Sequence, residues 1–294
     1  MAKIAVELDG ALTHRREHGK PGQTMPRMLA RGDGWTVADV VCTCGPQDRP
    51  FEEEHDRYVI AVVLAGTFQH RSPLGRGLLT PGSLMLGNRG HGFECGHEHG
   101  EGDRCVSFWY EPHYFEQLAV DAGVRRGAVR FRASHLPALR QLSSLVAHAG
   151  VGATGSLDVS WEELGVRLAT GAIDLSGHGG DRVALPSKAE ARVTRAVRTI
   201  DRHPEASLTL DALAREAGLS RYHFLRTFDQ LTGVTPHQYV RRARLRQTAM
   251  QLVADSANVL DIALGSGFGD VSNFNRAFRT EFGMSPRAYR AHMR

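Results

Sequence analysis

A repeat offset by 50 residues constrains this chain more than any other feature of its sequence. "YHFLRTFDQLTGVTP" (Tyr222 to Pro236) returns as "SNFNRAFRTEFGMSP" (Ser272 to Pro286), so that Phe224, Arg226, Phe228, Gly233 and Pro236 match Phe274, Arg276, Phe278, Gly283 and Pro286. Just upstream, "LAREAGLS" corresponds to "IALGSGFGD", with one extra residue in the second turn. In the first copy Leu210, Leu213, Ala214 and Ala217 fall at helical spacing, Gly218 supplies a left-handed turn residue, and Ser220 stands where a helix cap belongs. Phe224, Phe228 and Leu231 then make one apolar stripe at i, i+4 and i+7. In the second copy Ile262 and Ala263 lead to Gly267, Asp270 caps, and Phe274, Phe278 and Phe282 form the stripe. Each copy reads as helix, tight turn, helix. The outward faces carry Tyr222, Leu225, Arg226 and Asp229 in one copy, and Val271, Ser272, Asn273, Asn275 and Arg276 in the other.

The repeat sits in a basic segment. Residues 186–294 hold 17 Lys and Arg against 10 Asp and Glu, a net of +7, and the remainder holds 19 against 22, a net of −3. That field suits a polyanion, and a helix pair with a polar outward face on its second member is the shape that enters a major groove. A long helix around "PHQYVRRARLRQTAMQLV" (Pro236 to Val253) separates the copies. With the run "G-F-x-D…F-x-R-x-F-R-x-x-F-G-M-S-P-R-A-Y-R" from Gly267 to Arg290, this arrangement resembles the DNA-binding domain of the AraC/XylS family of bacterial transcription regulators. The resemblance implies that one chain carries two readers entering successive major-groove faces about 34 Å apart, and so reads an asymmetric site. It places Ser220, Arg221, Tyr222, Leu225 and Arg226 of the first reader, and Val271, Ser272, Asn273, Asn275 and Arg276 of the second, at the double-stranded DNA. Arg226 and Arg276 suit guanine, Asn273 suits adenine, and Leu225 offers only apolar contact. Arg221, Arg241 and Arg242 stand near enough to hold phosphates.

The N-terminal part has a strand texture. "GWTVADVVCTC" puts Ala38, Val40, Cys42 and Cys44 on one face; "YVIAVVLAGTFQH", "LLTPGSLMLGN" and "RCVSFWYE" follow at near-regular spacing with glycine turns, as in an antiparallel barrel or jelly roll. The pattern "H-x-x-Y…L-x-G-x-F…L-x-P-G-x-L-M-L…H" from His55 resembles the cupin-like effector domain of the same regulators. A catalytic cupin would offer a His-x-His pair, but His55 is followed by Asp56 and Arg57, so the expectation is a binding domain and no enzyme. Trp35, Phe68 and Trp109 are candidates to line its pocket. Two amphipathic helices follow, "LPALRQLSSLVAHA" and "LDVSWEELGVRLATGAIDL"; in the second, Leu157, Trp161, Leu164, Leu168, Ala172 and Leu175 recur at near-heptad spacing, which reads either as a homodimer seam or as packing on the barrel.

The fold expected is therefore α+β and multidomain: a cupin-like barrel over 1–125, a helical pair for dimerisation over 126–175, a linker over 176–187, and an all-α domain with two helix-turn-helix motifs over 188–294. The longest apolar run, Tyr58 to Ala65, is too short for a bilayer, and the N-terminus lacks a signal-peptide pattern, so the expected location is the cytoplasm with no membrane partner. The expected partners are DNA, a second copy, a small-molecule or metal effector and, through the resemblance, RNA polymerase; the alternative reading is a constitutive DNA-binding protein whose barrel is a protein-interaction or dimerisation module.

"ECGHEHGEGDRC" (Glu94 to Cys105) packs two cysteines and two histidines into twelve residues. In an extended chain Cys95, His97 and His99 would point to one side, and Gly100 and Gly102 would let Cys105 complete a Cys2His2 set for zinc or another thiophilic ion. Glu94, Glu98, Glu101 and Asp103 could orient the histidines. Cys42 and Cys44 are extra ligands, redox partners or inert thiols. Metal site, thiol-redox or electrophile sensor, and polar loop all stand as readings. No cofactor is certain.

Overall fold

The computed structural model describes residues 3–124, 129–155, 159–176 and 187–293. Most of the expected linker, the 125/126 boundary and Leu157 lie outside these residues. Helix α1 (Lys3–His18) leads into β1 (Thr24–Gly32), β2 (Trp35–Cys42), β3 (Phe51–Glu54), β4 (Tyr58–Gly66), β5 (Phe68–Ser72), β6 (Gly75–Leu79), β7 (Leu84–Gly87), β8 (Gly92–Gly96) and β9 (Asp103–Tyr110). Then come α2 (Pro112–Asp121), β10 (His135–Leu136), a 3-10 turn at Arg140–Leu142, α3 (Ser143–Ala153) and α4 (Trp161–Ser176). The C-terminal part is α5 (Ser187–Arg202), α6 (Leu210–Glu216), α7 (Arg221–Thr232), α8 (Pro236–Ala254), α9 (Val259–Gly265), α10 (Val271–Phe282) and α11 (Pro286–Met293). Among the described residues no helix is long and apolar enough to cross a membrane.

Strand β9 explains how the N-terminal part is layered. Its side chains alternate, as the strand period requires. Cys105, Ser107 and Trp109 line a cavity facing the second sheet, and Val106, Phe108 and Tyr110 join the core beneath the helices. The centre of the β1-β2-β9-β4-β7-β10 sheet is therefore buried on both faces, which is why "YVIAVVLA" in β4 is apolar throughout instead of alternating, while the edge strand β1 stays largely exposed. The smaller sheet, β3-β8-β5-β6, covers one face. Helices α2, α3 and α4 cover the other through Phe115, Leu145, Leu164, Leu168 and Ala172. The α4 stripe offered by the sequence as a dimer seam is thus covered by the chain's own barrel, because burying it there removes the same apolar area from water as a partner would.

Arg104, fully buried, ties α1 to this sheet. Its Nε and Nη2 donate to the two carboxylate oxygens of Asp39 at 2.8 and 2.7 Å, and Glu7 of α1 reaches it from the other side. Leu8 and Leu12, on the same helix, bury against Ala65.

In the C-terminal part the two repeats build two cores. Phe224 and Phe228 pack with Val193, Val197, Ile200 and Tyr239; Phe274, Phe278 and Phe282 pack with Leu252 and Tyr289. The turns obey one rule with different tightness. Gly218 has φ +62° in open space, whereas Gly267 has φ +79° and a Cβ there would meet the Glu205 carbonyl oxygen at 2.4 Å. Gly267→Ala is accordingly expected to destabilise by about 1–3 kcal/mol more than Gly218→Ala, which bears mainly the left-handed strain of about 1–2 kcal/mol. Denaturant midpoints of the two variants measure that difference.

Candidate functional site

The second helix of each repeat is held by its buried stripe, so its opposite face is fixed towards solvent. The Ser220 hydroxyl accepts the His223 amide at the start of α7, and the Asp270 carboxylate accepts the Asn273 amide at 2.6 Å at the start of α10. Both ends close on left-handed glycines, Gly233 and Gly283. On α7, Tyr222 is 65% exposed and Leu225 38%, with Arg221 and Arg226 beside them in the open. On α10, Ser272, Asn273, Asn275 and Arg276 are exposed and Val271 is half-buried. Arg221 donates to Asp211 at 2.8 Å, but among the described residues Arg226 and Arg276 have no ion-pair partner. Arg242, a phosphate candidate in the sequence, turns the other way: it donates to the Ala138 carbonyl and lies 3.5 Å from Glu281, clamping the helical domain to the barrel.

Between the two sheets lies a cavity of about 210 Å³, lined by Phe68, Phe93 and Trp109 among others. Trp35 instead packs with the helix-side core. At this cavity Cys42, His97 and Asp103 bring one donor atom each within 4.8 Å of one another, and all three are buried. His97 Nε2 lies 2.7 Å from Asp103 Oδ1, and the Cys105 thiol donates to Asp103 Oδ2 at 3.2 Å. Cys42 hydrogen-bonds Cys44, which holds the Cys44 thiol down at about 7; the same bond, then burial, raises Cys42 far above the usual thiol range. Burial pushes up Cys95 and Cys105, with Asp103 adding to both. His55 stacks on Phe93 at 4.0 Å and His70 is wholly buried; desolvation lowers them to about 4 and about 3.

This differs from the quartet Cys95, His97, His99, Cys105 expected of an extended chain. Strand β8 ends at Gly96 and the chain turns over 98–101, so His97 points in while His99 lies 3.8 Å from Glu98. Cys95 and Cys105 line the same cavity, and Cys42 and Asp103 complete the constellation because they are register partners across β2 and β9. Asp103 was visible in the sequence only as an acid that could orient a histidine.

The helical domain is docked on this barrel. Arg198 of α5 donates to Thr67 Oγ1 at 2.9 Å and to the carbonyls of Glu101 at 2.9 Å and Gly102 at 3.2 Å. Arg76 pairs with Glu190 at 2.7 Å. Ala147 and Val151 of α3 enter the core of the second repeat. At the junction Asp201 accepts from the Tyr239 hydroxyl at 3.1 Å and lies 3.6 Å from Arg246, yet desolvation pushes its carboxyl up to about 7. A carboxyl raised on folding favours the folded state below its ordinary value of 3.8 and loses that contribution as pH climbs through about 7. The melting temperature of Asp201→Asn minus that of the wild type is therefore expected to grow between pH 5 and pH 8, values chosen around that pKa, in paired thermal melts.

Comparison with known proteins matches residues 213–292 to a helix-turn-helix domain family and residues 41–164 to the AraC-like ligand binding domain family. Regulatory protein SoxS of Salmonella typhimurium is 34% identical over 91 residues, 31% of this chain and 85% of SoxS. The chain belongs to the AraC family of transcription regulators. The HTH-type transcriptional activator RhaS of Salmonella paratyphi A is 28% identical over 259 residues, 83% of this chain and 89% of that protein. The right origin-binding protein of Escherichia coli K12 is 36% identical over 91 residues, 31% of this chain and 32% of its own length. This AraC-family chain is a DNA-binding regulator with a ligand-binding domain ahead of its helix-turn-helix part.

Proposed function

We propose that this AraC-family regulator reads an asymmetric site in double-stranded DNA with α7 and α10, and that its barrel senses an effector and passes its state to the readers. The observation that carries the reading is the pair Arg226 and Arg276. They occupy the same position in the two repeats, and both are exposed on outward faces whose reverse sides are pinned by phenylalanines. Arg226, with Tyr222 and Leu225 beside it, and Arg276, with Ser272 and Asn273, are groups suited to base edges; Ser220 and Arg221 at one helix start, and Val271 and Asn275 at the other, complete the two contact sets. Residues 1–125 act as the sensing unit, 126–175 as the helical pair that follows it, and 188–294 as the reading unit. A second copy would have to associate through a surface other than the α4 stripe. Quantitative DNA binding by the full chain and by the arginine variants tests the reading, and equal affinity for every sequence would overturn it.

A further inference from the structure

We propose that Cys42, His97, Asp103 and Cys105 bind one thiophilic divalent metal ion of the zinc class, and that its occupancy sets the hold of the 97–103 turn on Arg198. The second half rests on the reading of the barrel as a sensor; the first does not.

The donors come from three places in the chain: the end of β2, the turn after β8 and the start of β9. Cys42, His97 and Asp103 are 4, 5 and 6% exposed, and their donor atoms lie within 4.8 Å of one another. Zinc bonds of about 2.0–2.3 Å put tetrahedral ligand atoms roughly 3.3–3.8 Å apart, so the widest separation in this group needs to close by only about 1 Å, while His97 Nε2 and Asp103 Oδ1, now 2.7 Å apart, part to admit the ion. The Cys105 thiol stands outside that group but donates to Asp103 Oδ2 at 3.2 Å, and it would move in with that carboxylate to serve as the fourth donor. Two sulfurs, an imidazole nitrogen and a carboxylate oxygen form a set that zinc accepts and that hard cations such as magnesium do not favour. Coordination replaces each S–H proton by an S–metal bond and releases that proton to solvent, with no change in oxidation state.

The same turn touches the helical domain. His97 and Asp103 bracket it, and between them the Glu101 and Gly102 carbonyls accept from Arg198. From the other side the β4–β5 corner presses on it so closely that a Cβ on Gly66 would meet the Gly102 oxygen at 2.2 Å. Arg198 projects from α5, whose Val193, Val197 and Ile200 share a core with Phe224 and Phe228 of the first reader. Pulling His97 and Asp103 onto an ion therefore moves the carbonyls that position α5 and, through one packed core, α7. The ion biases DNA binding to the extent that it prefers one of the two arrangements.

The test uses full-length protein freed of metal by chelation under reducing conditions and titrated first with cobalt, then with zinc. One cobalt per chain is expected, with a thiolate-to-metal charge-transfer band that zinc abolishes. Cys42→Ser and Asp103→Asn should weaken binding at least about tenfold. His99→Ala should bind as the wild type does. Circular dichroism checks that each variant is folded, and Cys105→Ala replaces any that is not. No charge-transfer band, or an unchanged one in folded Cys42→Ser and Cys105→Ala, overturns the site. In the second arm zinc should change the affinity for a selected DNA fragment at least about fivefold in the wild type. Arg198→Ala should still bind cobalt but lose that response. Metal binding with no change in wild-type DNA affinity overturns the coupling and leaves the site standing. Failure of the metal-free and the metal-loaded protein alike to bind any DNA sinks the reader assignment instead.

Discussion

Arg226→Ala and Arg276→Ala should each weaken specific DNA binding by about 1–3 kcal/mol, roughly 5- to 150-fold, without disturbing the fold. Both side chains stand on the solvent face of helices whose stability comes from the reverse side, where Phe224, Phe228, Phe274 and Phe278 are fully buried. Removing either guanidinium therefore subtracts a DNA contact and leaves the packing of α7 or α10 intact. The pair should be nearly additive, since the two residues stand on helices that pack into separate cores and, among the described residues, share no ion-pair partner. A base contact and a phosphate contact differ in how the loss appears. A base-reading arginine relaxes sequence preference at one position, whereas a phosphate contact weakens all sequences alike and lowers the salt slope by about 1. The expected result is relaxed preference. Equal loss on all sequences would reassign that arginine to the backbone.

The largest stability effect is expected at Asp39, where Asp39→Ala should cost about 3–5 kcal/mol. Asp39 is 3% exposed and accepts both parallel bonds from Arg104, which is itself wholly buried. The variant leaves that guanidinium in the sheet without its bidentate partner, a much larger penalty than losing a surface pair of about 0–1 kcal/mol. Arg27, which also donates to Asp39 at 2.7 Å, would lose a partner but can turn to water. Asp39→Asn should cost less, because one oxygen still accepts. Urea denaturation followed by circular dichroism measures all three proteins, and an Asp39→Ala midpoint equal to that of the wild type would show that Arg104 does not depend on Asp39.

The helical third was legible in the sequence because its signals are local. Caps at Ser220 and Asp270, left-handed glycines at 218, 233, 267 and 283, and stripes at i and i+4 are each written within a dozen residues, and the repeat states them twice. The outward faces follow by subtraction. The sandwich was legible as a strand texture, yet β1, β3 and β8 carry too few buried positions to announce themselves: β1 and β3 have only partly covered side chains such as Phe51, and β8 buries only Cys95 and Gly96. Among its described side chains helix α1 buries only Leu8 and Leu12, beside many charged residues, so its periodicity is faint. The cysteine-rich stretch was recognisable by residue type but not by partner. Cys42 meets Asp103 only through strand register across β2 and β9, and His99 leaves the set because the chain turns after Gly96. Periodicity in α4 likewise declares a buried face without saying what covers it, and the covering surface is the chain's own barrel.

Selection of binding sites from a random DNA pool by the full-length chain, repeated with Arg226→Ala and with Arg276→Ala, addresses the two-reader claim most directly. The account predicts an asymmetric site of two preferred blocks with centres about one helical turn, roughly 10 base pairs, apart. Arg226→Ala should relax one block and Arg276→Ala the other. A single preferred block, or one block relaxed by both variants, would contradict the claim that this chain reads DNA with two helices.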